Sequence, residues 1–336
     1  MTRQLQEYFV PTFKAAIDAG AKTVMINSGE INGIPVHCNP KILKDLLRDQ
    51  LGFKGVAVSD WEDVGYLTKR HRVAKNYKDA IRLAINAGID MAMVPMDTRF
   101  PVLLKELVEE GEVPMERIDE SVERILTLKF ELGLFENPYY SFEDYNQFNS
   151  QESIESAYQA ALECQTLLKN DGNLLPLPKD KKVLVTGLTS DSPLALNGGL
   201  SRTWQGTNEK HHIDNTITVR QAIEAKIGKG NVIYQVQTDL KKVKAQATSA
   251  DYAVVCLGEM PYTEKRGDIE ELDLPKHQID LIKTIASTGT PIVMVLVEGR
   301  PRIVREAEPL ARSVLMSYLP GNEGGRAIAD VIFSDY

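Results

Sequence analysis

The sequence predicts an α/β protein of two domains. Three observations carry this reading. Short, nearly uninterrupted apolar runs recur along the chain, as at 53–59 (FKGVAVS), 252–257 (YAVVCL) and 291–297 (PIVMVLV). Helical patterns alternate with them, the arrangement expected of parallel strands covered on both faces. The 336 residues exceed the ~150 of a typical single domain.

The elements follow in order. Residues 4–19 form an amphipathic pattern ending at Gly20, and 22–27 form a short β-rich run closed by Ser28-Gly29. A helix is expected over 40–51, a strand over 53–59 ending at Asp60, and a helix over 75–87 stopped by Gly88. A third strand is expected over 89–94, ended by Pro95, and two helical patterns fill 100–133 around Gly111. The stretch 135–155 is aromatic and turn-rich, and reads as a surface linker between a first domain, 1–134, and a second, 156–336. A helix over 152–168 crosses into the second domain. There, strands at 183–188, 232–237, 252–257, 291–297 and 313–318 alternate with helices at 217–227, 240–248, 276–287 and 323–333, as in an open layered sheet.

Composition narrows the function. The net charge is −8 and no concentrated basic stripe occurs, which argues against a nucleic-acid partner. No run approaches the ~18 apolar residues of a membrane span, and the first residues lack the apolar core of a signal peptide. Cys38, Cys164 and Cys256 lie far apart, in neither a disulfide nor a metal-ligand spacing, and read as buried free thiols. Phosphate-loop and dinucleotide glycine patterns are absent.

Three segments are candidates for chemistry. In GFKGVAVSDW (52–61) a strand delivers Asp60 at its C-terminal end, where parallel α/β folds gather ligands. A carboxylate there serves as nucleophile or general base; the plain alternative is a helix cap. The segment 258–268, GEMPYTEKRGD, is a charged loop after a strand, and a merely solvated loop has the same composition. In NGGLSRTWQG (197–206) glycines surround Trp204. Both tryptophans of the chain, Trp61 and Trp204, therefore stand beside candidate loops. Flat apolar faces next to carboxylates suit a sugar ring.

Together with VEEGEVPMERIDESVERILTLKFELGLFENP (108–138), LLKNDGNLLPL (167–177) and SYLPGNEGGRAIADVIF (317–333), these motifs make the chain resemble glycoside hydrolase family 3. The resembling branch holds β-glucosidases and exo-β-glucanases, in which a (β/α)8 barrel precedes an α/β sandwich. The resemblance implies that residues 1–134 are the C-terminal part of such a barrel, which needs ~250 residues when whole. It implies that 156–336 are a sandwich domain shortened at its C-terminus, so that the chain reads as an internal fragment.

Carried onto this sequence, the resemblance makes Asp60 the nucleophile and Glu264 the general acid/base, with Glu259 as the rival. Trp61 and Trp204 become sugar-flanking aromatics, and Met25 lines the glucose pocket. Ser28 and Leu200 depart from aromatics found in relatives, and the Asp, Arg and Lys-His pair with which relatives grip the sugar precede Met1. The implied activity is retaining hydrolysis of terminal β-D-glucosyl or related residues, with the two carboxyls brought together from separate domains and no metal or cofactor. The implied partners are β-linked glucosides or oligosaccharides, with no nucleic acid and no membrane. The implied location is periplasmic or extracellular; oligomeric state and linkage are left open. Two alternatives stand beside this reading: a catalytically inactive carbohydrate-binding fragment of the same fold, and an unrelated α/β enzyme pairing Asp60 with Glu30 or Asp90.

Overall fold

The computed structural model describes residues 3–212 and 216–336. The chain divides into two compact units, Met1–Ser141 and Phe142–Tyr336.

In the first unit, helix α1 (Val10–Asp18) leads to strand β1 (Thr23–Met25), which pairs in parallel with β4 (Val56–Val58). Between them lie a small antiparallel pair, β2 (Glu30–Ile31) and β3 (Ile34–Pro35), and a helix over Lys41–Gln50. Helices α2 (Asp63–Lys69), α3 (Tyr77–Ala87), α4 (Arg99–Glu109) and α5 (Met115–Glu131) complete the unit. Leu43, Leu47, Phe53, Ala57, Leu67, Ile81, Ile85 and Ile89 form its core. The helix over 75–87 starts at Asn76, whose side chain accepts from Asp79 N–H as an N-cap.

The third strand expected over 89–94 is reduced to one bridge, Met91 with Val58. The backbone there makes isolated bonds and no ladder: Asp90 N–H donates to Ala57 O at 2.9 Å, Ser59 N–H to Met91 O at 2.9 Å and Glu62 N–H to Met93 O at 2.9 Å. The Asp90 side chain turns inward instead. Its carboxylate accepts from Arg48 at 2.6 Å, Arg124 at 2.7 Å, Arg117 at 3.0 Å and the Ala57 N–H at 2.9 Å. Burial alone would raise the Asp90 pKa, yet the Ala57 N–H and these arginines hold it below the usual carboxylate value.

The second unit is built on a six-stranded sheet of order β5-β10-β9-β8-β6-β7. Its strands are β5 (Thr166–Asn170), β6 (Val183–Thr186), β7 (Val232–Tyr234), β8 (Tyr252–Gly258), β9 (Ile292–Val297) and β10 (Ser313–Tyr318). All neighbours are parallel except β5, which joins β10 antiparallel at the edge. The strand side chains alternate between two cores. Val183, Val185, Val254, Cys256, Val293 and Val295 face one side, with helices Val219–Ile227 and Gly324–Ile332. Leu184, Val255, Leu257, Met294 and Leu296 face the other, with helices Leu240–Ser249 and Lys276–Ala286. This two-sided burial is why the strands read as continuous apolar runs.

The helix expected over 152–168 is shorter, Gln151–Glu163, and the chain then turns into β5. Leu167 and Leu168, which continue the apolar pattern, are both exposed on that edge strand. All three cysteines are free, but only Cys256 is buried; Cys38 and Cys164 are half-buried, which corrects the expectation of three buried thiols. Among the described residues no helix is long and apolar enough to cross a membrane.

Candidate active site

Asp60 stands two residues beyond β4, half-buried. Its Oδ1 accepts from the Trp61 N–H at 2.6 Å. Ser28 Oγ lies 3.2 Å from Oδ2 and makes a closer hydrogen bond to Asp63 Oδ2. Asp60 does not cap the next helix: Glu62 holds the cap position of α2 without a side-chain capping bond. The backbone is fixed as well, since Asp60 N–H donates to His37 Nε2 at 3.3 Å. That bond requires an unprotonated Nε2, so Nδ1 carries the imidazole hydrogen and faces Asp63 Oδ2 at 3.5 Å. Burial pushes the His37 pKa down against the pull of Asp63 and Asp60, in keeping with a neutral ring.

Met25 ends β1 in register with Val58 of β4, so the methionine and Asp60 share the C-terminal edge of this pair. Met25 is 59% exposed and Trp61 54%. The two carboxylates weighed as partners for Asp60 are occupied elsewhere. Asp90 is the centre of the arginine cluster, and Glu30 Oε1 lies 2.8 Å from His71 Nδ1. Ser28 carries a sequence signal only as a departure from relatives' aromatics; His37 and Asp63 carry none as Asp60's surroundings, because they come from other elements.

In the second unit, segment 258–268 follows β8 and is packed against segment 197–206. Gln205 joins them with two bonds: its Oε1 accepts from Thr263 N–H at 3.1 Å, and its Nε2 donates to Thr263 O at 3.2 Å. Thr263 Oγ1 adds a bond to Trp204 O at 2.8 Å. The approach is close enough that a Cβ on Gly199 would lie 2.2 Å from Tyr262 O. A cavity of about 310 Å³ opens between the segments, lined by Gly199, Leu200, Glu259, Tyr262, Glu264 and Leu319 among others.

The two rival glutamates differ sharply in this setting. Glu259 is held by Arg300, whose Nε donates to its oxygens at 3.1 and 3.3 Å, and its Oε1 lies 3.6 Å from Arg302 Nε. Glu264 is exposed, and its carboxylate accepts from Trp204 Nε1–H at 3.4 Å. Its backbone φ of 55° lies in the left-handed region, a conformation that costs a non-glycine residue ~1–2 kcal/mol and persists only where the surroundings impose it. Arg266 stacks over the Trp204 ring at 5.7 Å from the centroid, so the tryptophan, 55% exposed, has one face occupied.

Behind the loop lies Glu298, 1% exposed. Its Oε1 accepts from Arg302 N–H at 3.0 Å, while Oε2 has no hydrogen-bond partner among the described residues. Burial pushes this carboxyl up to about 7; the Arg302 N–H opposes the shift and the charge of Glu259 adds to it. A carboxyl raised in the folded state favours folding below its unfolded pKa, and that contribution is lost as pH rises through the folded value. The protein should therefore lose on the order of 3 kcal/mol between pH 4.5 and about 7, relative to a Glu298→Gln variant. Urea denaturation of both proteins at these two pH values measures the difference. Equal pH dependence in the two would refute this account of Glu298.

Against this geometry, the comparisons with known proteins are direct. Residues 1–128 match the glycosyl hydrolase family 3 N-terminal domain and residues 165–336 its C-terminal domain. The chain belongs to glycosyl hydrolase family 3. Similar family 3 proteins include a lysosomal β-glucosidase of Dictyostelium discoideum, 41% identical over 99% of this chain and 43% of its own length. A periplasmic β-glucosidase of Salmonella typhimurium is 31% identical over all of this chain and 47% of its own. Among solved structures, the β-glucosidase of Listeria innocua in complex with glucose superposes with a TM-score of 0.87 at 33% identity, covering all of this chain and 46% of that one. The chain thus spans somewhat under half the length of these relatives. The family match also carries the fold class: part of a (β/α)8 barrel followed by an α/β sandwich.

Proposed function

We propose that these residues belong to a retaining β-glycosidase that removes terminal non-reducing β-D-glucosyl or closely related residues. Asp60 attacks the anomeric carbon and forms a covalent glycosyl-enzyme as the leaving oxygen takes a proton from Glu264. Glu264 then takes a proton from water, which displaces Asp60 and restores the β configuration. Trp61 and Trp204 flank the sugar beyond the cleaved bond, and Met25 lines the glucose pocket.

The observation that carries the acid/base assignment is the contrast between the glutamates. Glu259 is engaged by two arginines, and a carboxylate in such a pair is poorly placed to shuttle protons. Glu264 is exposed on a shaped loop beside an aromatic ring. The named relatives support β-glucosides as substrates, and a periplasmic or extracellular site of action is in keeping with the periplasmic and lysosomal members.

The test uses Glu264→Ala in a full-length family 3 enzyme carrying these residues. Hydrolysis of an unactivated β-glucoside should fall by about 10²–10⁴-fold. Azide should restore turnover of a dinitrophenyl glucoside and yield the β-glucosyl azide. An absence of rescue would count against Glu264, and rescue of Glu259→Ala instead would exchange the two roles. The 336-residue chain assayed alone should turn over little, because positioning of the sugar supplies ~7–11 kcal/mol of such a barrier and the chain carries less than half of its relatives' length. Turnover within tenfold of the full-length enzyme would overturn that expectation. Sugar binding by a full-length enzyme that hydrolyses no β-glycoside would favour the carbohydrate-binding alternative.

A further inference from the structure

We propose that Arg300 is a positioning residue that fixes the loop bearing Glu264. The catalytic meaning of this rests on the reading of Glu264 given above; the mechanical part does not. One guanidinium touches the loop at three points. Its Nε donates to Glu259 at the loop's start, at 3.1 and 3.3 Å. Its Nη1 donates to Gly267 O at the far end, at 2.5 Å. Its plane covers the Tyr262 ring midway, with the guanidinium carbon 4.2 Å from the centroid. Glu264 lies inside this span.

The arrangement answers a geometric question. Glu264 makes its hydrogen bond to Trp204 at the long distance of 3.4 Å, too weak a tether to set the position of its carboxylate. The position must come from the backbone, which at Glu264 sits in the left-handed region. A strained backbone keeps its shape only when held from outside. Gln205 holds Thr263 on one side, and Arg300 holds residues 259, 262 and 267. Tyr262 and Gly267 are themselves in close contact, since a Cβ at 267 would lie 2.2 Å from the Tyr262 ring. Glu259, the acidic residue that competes with Glu264 in sequence, is thereby an anchor of the clamp. Arginine suits the position because its planar fork both stacks and donates to two acceptors, which a lysine ammonium does not.

The test is made on the 336-residue chain in a Trp61→Phe background, where Trp204 is the sole tryptophan. Arg300→Lys should lower hydrogen-exchange protection over 259–268 by about tenfold or more. Protection of β8 and β9 should stay unchanged, and Trp204 should become more readily quenched by acrylamide. Glu259→Gln approaches the clamp from its other partner and should loosen the same segment; the effect of the double variant should fall short of the sum of the two single effects, because both break the Arg300–Glu259 contact. If Arg300→Lys disrupts the sheet, Glu259→Gln carries the test. Unchanged loop protection and quenching in a folded Arg300→Lys protein, or in Glu259→Gln where the first is disrupted, would overturn the proposal, as would additive effects. None of these readouts needs turnover. Failure of the acid/base assignment would show in the azide experiment and leave them untouched.

Discussion

Asp60→Ala in a full-length family 3 enzyme carrying these residues should lower turnover of an aryl β-glucoside by about 10⁵-fold, the scale of losing a covalent nucleophile. Asp60 is held by the Trp61 N–H and neighboured by Ser28 and His37, so the alanine variant loses a group whose orientation is prepared in advance. Added azide should enter the vacated space and displace the leaving group directly. One displacement inverts the anomeric carbon, so a β-glucoside should give the α-glucosyl azide, opposite to the product expected from Glu264→Ala. Product stereochemistry by NMR therefore separates the two carboxyl roles. Turnover within tenfold of the parent, or a β-azide from Asp60→Ala, would remove Asp60 as the nucleophile.

Asp90→Ala should cost the first unit ~3–5 kcal/mol, the range for breaking a buried ionic group by removing one partner. Arg48, Arg117 and Arg124 all converge on this carboxylate, and its side chain is wholly buried. Without it the three guanidiniums face one another with only the half-exposed Glu120, 3.6 Å from Arg117 and 3.5 Å from Arg124, as a counter-charge. Asp90→Asn should be nearly as harmful, since it keeps the shape and removes the charge. Urea denaturation followed by hydrogen exchange should place the loss in the first unit, with β8 and β9 of the second retaining their protection. A loss below ~1 kcal/mol would mean that the arginines find other partners.

The same carboxylate marks where a sequence reading reaches its limit. The run 89–94 has the apolar character of a strand, but Asp90 is drawn into arginines contributed by residues 48, 117 and 124, and only Met91 bridges β4. Nothing within the run announces those distant partners. The interior strands of the second unit were legible because burial on both faces leaves an unmistakable apolar stretch. Strand β5 was not, because an edge strand with Leu167 and Leu168 exposed continues the preceding helix's apolar phase. At the candidate site, strand order alone put Asp60 at a sheet end. The different settings of Glu259 and Glu264 depend on Arg300 and Arg302, which follow a different strand, so in the sequence the preference for Glu264 came from the family resemblance alone.

The double hydrogen bond from Gln205 to Thr263 has a consequence for anyone exchanging parts among family 3 enzymes. It makes the aromatic segment 197–206 and the Glu264-bearing segment 258–268 a single transplantable cassette. A donor segment carrying a new aromatic in place of Trp204 but no glutamine after it would keep only the Thr263 Oγ1 bond to the backbone carbonyl of residue 204 and lose the two that register it to Thr263. Recombination libraries built at this face should inherit the two segments as a pair, with crossovers placed in the strands that flank them.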